Sequence, residues 1–298
     1  MKILLFGCGG QVGWELQRSL SLLGEVVALD FDSAGHAADF TRPHELARTV
    51  RAVQPDVIVN AAAHTAVDKA EAEPAVAQAI NAESPRVLAT EAAAIGAWMV
   101  HYSTDYVFDG SGEHPWVETD PTGPLNVYGQ TKLEGEHHVR ASGCRHLIFR
   151  TSWVYSARGN NFARTMIRLA AERDQLSVVD DQIGAPTGAD LLADVTAHAL
   201  RRAIATPDLS GTYHATSAGE TSWHGYATMV IEWARPRGLP VRVPKDKIVA
   251  MSTCSYPTAA KRPLNSRMDT GRLEYAFQLT MPDWRAGVLR MLAEVHSR

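Results

Sequence analysis

Ile3-Leu4-Leu5-Phe6-Gly7-Cys8-Gly9-Gly10-Gln11-Val12-Gly13 opens the chain with a short apolar run that gives way to glycines at positions 7, 10 and 13, with a further glycine at 9. The apolar run predicts a strand buried on both faces. Val12, Leu16, Leu20 and Leu23, spaced by four, four and three, predict one face of the helix that follows, which Gly24 closes. Glycines between such a strand and helix let the backbone turn sharply and approach a diphosphate closely. The first helical turn then offers unpaired N–H donors and positive potential. The Gly-x-x-Gly-x-x-Gly spacing departs from the commoner Gly-x-Gly-x-x-Gly, so the flanking strand and helix carry most of its meaning.

The same alternation continues outward. Val26–Leu29, Val57–Val59, Trp98–Tyr102 and His146–Phe149 read as further buried strands. Thr41-Arg42-Pro43 resembles a helix start, and Leu46, Val50 and Val53 keep the helical period until Pro55. Strand, helix, strand, helix predicts an α/β fold with a doubly wound, Rossmann-like parallel sheet. Beyond residue 150 the order becomes mixed: Phe162–Arg173, Leu191–Ala205 and Tyr226–Ala234 read as helices, Gly211–His214 as a strand, and Val288, Met291, Leu292 and Val295 mark a last helix after Pro282. The expected division is a dinucleotide-binding domain over 1–175, to which 189–216 returns. A smaller mixed C-terminal substrate lobe takes 176–188 and 217–285, and 286–298 form a terminal helix.

With 45% hydrophobic and 21% charged residues in 298, the composition is neither disordered nor fibrous. Lys plus Arg number 29 against 33 Asp plus Glu, a net charge of -4 with no basic cluster, which argues against a nucleic-acid partner. Cys8, Cys144 and Cys254 show no Cys-x-x-Cys spacing, as suits a reducing compartment. Ile3–Phe6 is too short for a signal-peptide core and Ala92–Val100 too short for a membrane span. A cytoplasmic protein without a membrane partner is expected.

Candidate chemistry collects at strand ends. Asp30 closes the second strand, where a carboxylate can accept hydrogen bonds from ribose hydroxyls. Asp39-Phe40, as a binding element, would bring the ring near adenine, and the small residues of Asn60-Ala61-Ala62-Ala63 would let a flat cofactor cross the sheet edge. Tyr128 and Lys132 stand four apart, on one helical face, where a cation favours phenolate and draws a phenol towards working pH. Ser103-Thr104-Asp105 ends a predicted strand upstream, and a hydroxyl there can hold a carbonyl oxygen.

The order of these motifs resembles the extended short-chain dehydrogenase/reductases. Finer stretches resemble the dTDP-4-dehydrorhamnose reductase family over nearly the whole chain: Asn60-Ala61-Ala62-Ala63-His64-Thr65-Ala66-Val67-Asp68, Tyr102-Ser103-Thr104-Asp105-Tyr106-Val107-Phe108, Arg150-Thr151-Ser152-Trp153-Val154-Tyr155 and Asp181-Gln182-Ile183-Gly184-Ala185-Pro186-Thr187. The resemblance implies reduction of the C4 ketone of dTDP-4-dehydro-β-L-rhamnose by NADPH or NADH, the last step in making dTDP-β-L-rhamnose. By the same resemblance, Gly7, Gly10, Gln11, Val12 and Gly13 form the diphosphate turn, Asp30 holds the ribose, and Asp39 and Phe40 the adenine end. Ala62, Ala63, His64, Thr65 and Tyr102 line the remaining cofactor path. Tyr128 is the proton donor, Lys132 binds the nicotinamide ribose and lowers the Tyr128 pKa, and Thr104 orients the ketone. Thr104, Asp105 and Trp153 contact the sugar nucleotide. Glu15, Asp190 and Glu294 fall where some members hold Mg²⁺ across a homodimer interface. A nucleotide-sugar epimerase or dehydratase of the same family would share the motifs, but would return its hydride to the cofactor. A non-catalytic subunit like the regulatory one of methionine adenosyltransferase would not need Thr104, Tyr128 and Lys132 together.

Overall fold

A computed structural model describes residues 1–296; the last two positions of the expected 286–298 terminal segment lie outside the described residues. Strands β1 (Lys2–Phe6), β2 (Glu25–Leu29), β3 (Val57–Asn60), β4 (Trp98–Thr104), β5 (Arg145–Thr151) and β6 (Gly211–His214) form one sheet in the order β6-β5-β4-β3-β1-β2. Every neighbouring pair is parallel. The apolar run that opens the chain is fully buried. Its alternation sends Ile3 and Leu5 to the core under one layer of helices and Leu4 and Phe6 to the core under the other. The first layer contains α1 (Gln11–Leu20), whose Leu16 and Leu20 are buried; the second contains α2 (Pro43–Val53) and α3 (Ser84–Ile95). The apolar stretch 92–100 is not one element: Gly96, at φ 72°, ends α3 and the chain turns into β4.

After β1 the chain winds to β2 on one side and then crosses to β3 on the other, so the β1 and β3 ends define the topological switch point where open α/β sheets bind ligands. Gly7 makes the turn there at φ 81°, and a Cβ on it would lie 2.7 Å from the Ala62 nitrogen. A Cβ on Gly13 would lie 1.9 Å from the Gly7 carbonyl oxygen. Only glycine at both places lets the loop lie against the β3 end and α1 against the loop.

Three further helices complete the nucleotide-facing side and its neighbour: α4 (Val127–Ala141), α5 (Phe162–Glu172) and α6 (Ala189–Ala205). Leu192, Ala199 and Leu200 of α6 share the first core with α1. Two elements depart from the expected division. Helix α5, placed in the nucleotide-binding half by the 175 boundary, turns Ala163, Met166, Ile167 and Ala170 into a separate core. It shares that core with α7 (Trp223–Ala234) and α9 (Trp284–His296). Conversely α8 (Gly271–Phe277), expected in the substrate lobe, seats Leu273 and Phe277 in the first core, with the Phe277 ring edge-on to Tyr213 at 4.9 Å. The lobe also contains a strand pair: Leu176–Val179 pairs in parallel with Ile248–Met251. Among the described residues no helix is long and apolar enough to cross a membrane.

Candidate active site

A cavity of about 520 Å³ opens at the switch point. Gly10, Gln11 and Val12 enter it from the β1 side, Ala62, Ala63 and Thr65 from the β3 side, and Tyr102, Thr104 and Asp105 from the end of β4. Tyr128 and Lys132 of α4 and Trp153, just after β5, complete the wall. Gly10 stands at the N-cap of α1 with no side-chain cap, and the first turn carries no acidic residue, so its N–H groups face the cavity uncompensated. With the alanine rim, this donor set fits the diphosphate of a dinucleotide. Asp30 is held beside the loop, accepting 2.8 Å hydrogen bonds from the N–H groups of Gly9 and Phe31.

Asp30, Asp39, Phe40 and His64 do not line this cavity. Asp39 accepts from the N–H and hydroxyl of Thr41, which holds its carboxyl below the usual range. The Phe40 ring is 6% exposed and packs edge-on to Phe6 at 5.5 Å, so it belongs to the core. His64 is clasped through its backbone, donating to Asn81 Oδ1 at 2.9 Å and accepting from Asn81 Nδ2 at 3.1 Å.

Asn126 caps α4 by accepting from the Gly129 N–H at 2.8 Å, and this sets the register that points Tyr128 and Lys132 at the β4 end. Lys132 is 2% exposed and donates to the Tyr102 carbonyl oxygen; burial pulls its ammonium down to about 8. Burial pushes the Tyr128 phenol up to about 12, opposed by a hydrogen bond with Thr104 and assisted by the Asp105 charge. A lowering of Tyr128 by Lys132 was expected. The structure has the reverse shift, because desolvation of the phenol dominates and the ammonium is directed at Tyr102.

Asp105 is 2% exposed, and its Oδ1 accepts from Thr104 Oγ1 at 2.9 Å while Oδ2 is buried without a partner. Burial raises its carboxyl to about 6 against hydrogen bonds from Ser266 and Thr104. Trp153, at φ 48°, stacks on Trp223 with centroids 3.7 Å apart and planes 15° off parallel. Trp223 donates its indole N–H to Gln182 Oε1 at 3.1 Å. Trp223, Tyr106 and Val67 line the cavity without having been singled out from the sequence. Tyr106 and Val67 lie inside the stretches that resemble the reductase family, which was the available signal for them; Trp223 had none.

Glu15 stands 3.6 Å from Arg18, and Asp190 3.5 Å from Arg290. Among the described residues, the metal-ligand side chains that gather are Glu83, Glu134 and His138; Glu15, Asp190 and Glu294 do not come together within one chain.

The model of a family described as the RmlD substrate binding domain matches residues 1–297. The chain is 56% identical over 295 residues to the dTDP-4-dehydrorhamnose reductase of Escherichia coli strain K12, covering 99% of this chain and 98% of that protein. It is 51% identical over 294 residues to the dTDP-4-dehydrorhamnose reductase of Burkholderia thailandensis, covering 97% of each. The solved structure of dTDP-4-dehydrorhamnose reductase from Bacillus anthracis in complex with NADP superposes with a TM-score of 0.87 at 35% identity, covering 98% of this chain and 99% of that one.

Proposed function

This chain belongs to the RmlD substrate binding domain family, and we propose that it catalyses NAD(P)H-dependent reduction of the C4 ketone of dTDP-4-dehydro-β-L-rhamnose to dTDP-β-L-rhamnose. The observation that carries this reading is the convergence, on one cavity, of the uncapped α1 N-terminus with Thr104, Tyr128 and Lys132. When bound, the reduced nicotinamide supplies the hydride. The α1 turn holds the diphosphate, Asp30 the adenosine ribose and Lys132 the nicotinamide ribose. Thr104 donates to the ketone oxygen and orients it, and Tyr128 delivers its proton to the oxygen as it becomes an alkoxide. A phenol raised to about 12 suits this direction, since it stays in the donor form at neutral pH while an alkoxide is the stronger base. Asp105, in the cavity wall, accepts from a sugar hydroxyl, and Trp153 with Trp223 gives the apolar wall on which the sugar nucleotide lies.

In this reading the sheet and residues 189–216 serve the dinucleotide, and the lobe built on 176–188 and 217–270, with α5 and α9, serves the sugar nucleotide. The protein acts in the cytoplasm as a homodimer. Within one protomer Glu15, Asp190 and Glu294 do not fit a Mg²⁺ site, because they are apart and Arg18 and Arg290 stand beside two of them. A bridge between two copies is the form left to that proposal. Sedimentation with Mg²⁺ and with chelator tests it, and identical association in both rejects the bridge. The reaction itself is tested by following NADPH and dTDP-4-dehydrorhamnose together. One NADPH should be oxidised per ketone consumed, and conversion of the sugar without net NADPH loss would point to an epimerase or dehydratase.

A further inference from the structure

We propose that Glu136 is a positioning residue for this reduction, acting on the Lys132 ammonium from one helical turn away and on Ser103 through a direct hydrogen bond. Along α4, Tyr128, Lys132, Glu136 and Arg140 recur every four residues, so phenol, ammonium, carboxylate and guanidinium run in a row from the cavity into the protein. Glu136 is fully buried. Its Oε1 accepts from Ser103 Oγ and from Arg150 Nε at 2.9 Å, and its Oε2 from Arg150 Nη2 and Arg140 Nη1, both at 2.8 Å.

This carboxylate therefore accepts four hydrogen bonds, three from guanidinium N–H groups and one from a hydroxyl. Ser103 lies between Tyr102, whose carbonyl oxygen holds Lys132, and Thr104, beside the Tyr128 phenol. The Glu136 hydrogen bond thus fixes the middle of the β4 end that carries both contacts. A buried ion pair is poor value for stability alone, because desolvation consumes most of the attraction. This one stands where an anion is useful to an ammonium that burial would otherwise discharge.

The groups facing Lys132 can be named. Tyr128 and Glu136 come from its own helix, and His101 and Tyr102 from β4; Arg140 and Arg150 stand behind the carboxylate. Burial and the Lys132 charge hold His101 far below its ordinary value, so it stays neutral. Tyr128 and Tyr102 stay protonated because burial raises both. Glu136 is left as the anion that opposes the desolvation of Lys132.

The proposal rests on the assignment of Lys132 made above. The test measures two pH profiles, kcat/KM and NADPH binding by its fluorescence. The proteins are the full-length wild type, Lys132→Met, Glu136→Gln and Glu136→Gln/Arg150→Met. In the double variant the lost cation balances the lost anion for folding, while Lys132 still loses the one charge that acts on it, so it decides the question if the single one fails to fold. A wild-type basic limb that vanishes in Lys132→Met and moves down by about one pH unit in the Glu136 variants, in both profiles, is the expected result. A purely structural role for Glu136 would lower the amount of folded enzyme and leave the limb in place. A limb that disappears in Lys132→Met but keeps its wild-type position in the folded Glu136 variants overturns this proposal alone. A limb that persists in Lys132→Met overturns the Lys132 assignment and this proposal with it.

Discussion

The Gly9 N–H donates a 2.8 Å hydrogen bond to Asp30 Oδ2, which ties the carboxylate proposed to hold the adenosine ribose to the loop proposed to hold the diphosphate. With Phe31 N–H on its other oxygen, Asp30 cannot swing far from that place. NADPH carries a phosphate where NADH carries the 2′-hydroxyl. Two negative groups about 4 Å apart repel by about 4 kcal/mol at an effective dielectric near 20, and relaxation and solvent reduce this. Asp30→Ala is therefore expected to raise the NADPH/NADH ratio of kcat/KM by about tenfold or more. Measuring both cofactors with one ketosugar checks it, and an unchanged ratio would remove Asp30 from the discrimination.

Tyr128→Phe should lower kcat by about 10²-fold or more while leaving NADPH binding intact, as expected when a positioned acid is lost. Its burial-raised pKa also sets the pH behaviour. The phenol keeps its proton throughout the neutral range, so the basic limb belongs to Lys132, whose ammonium is present below about pH 8 and lost above it. Kinetics from pH 6 to 10 check this, and near-normal turnover in the folded variant would contradict the assignment.

The glycine turn, α1 and the Tyr128/Lys132 pair were legible because their signals are local: a change of period at a glycine, or a spacing of one helical turn. Features decided by distant partners were not. An aromatic beside Asp39 looks like a ligand surface until Phe6, far away in sequence, takes the Phe40 ring. Trp223 joins the site only by stacking on Trp153, 70 positions earlier. Leu176–Val179 is too short to announce a strand before Ile248–Met251 pairs with it. The direction of the Tyr128 shift also depends on burial, which residue spacing does not contain.

Trp223→Ala removes one face of the indole stack and should raise KM for the sugar nucleotide several-fold, with a smaller effect on NADPH affinity. Trp223→Phe, which keeps a ring but not the N–H bonded to Gln182, should fall between the two. Equal losses for both ligands would place Trp223 in the fold and not in the substrate wall.

Asp105 should reveal a conflict between stability and function. Its folded pKa of about 6 lies above its ordinary 3.8, so ionisation favours the unfolded chain and costs stability once pH rises above the ordinary value. Asp105→Asn is expected to raise Tm by a few degrees at pH 7.5, with the gain fading towards about pH 3, where the acid is protonated in both states. Activity should fall together with the gain in Tm. Thermal denaturation at the two pH values, beside kcat/KM, checks it; a Tm lowered at pH 7.5 would show that the charged form is satisfied in the protein.

The most direct measurement of the central claim follows deuterium from NADPH deuterated at the transferable C4 position of the nicotinamide into the sugar. Reduction at the ketone, with Tyr128 delivering a solvent-derived proton to oxygen, predicts dTDP-β-L-rhamnose carrying one deuterium on C4, in amount equal to the NADPH oxidised. Product without deuterium at C4, or conversion of the sugar with no NADPH consumed, would contradict it.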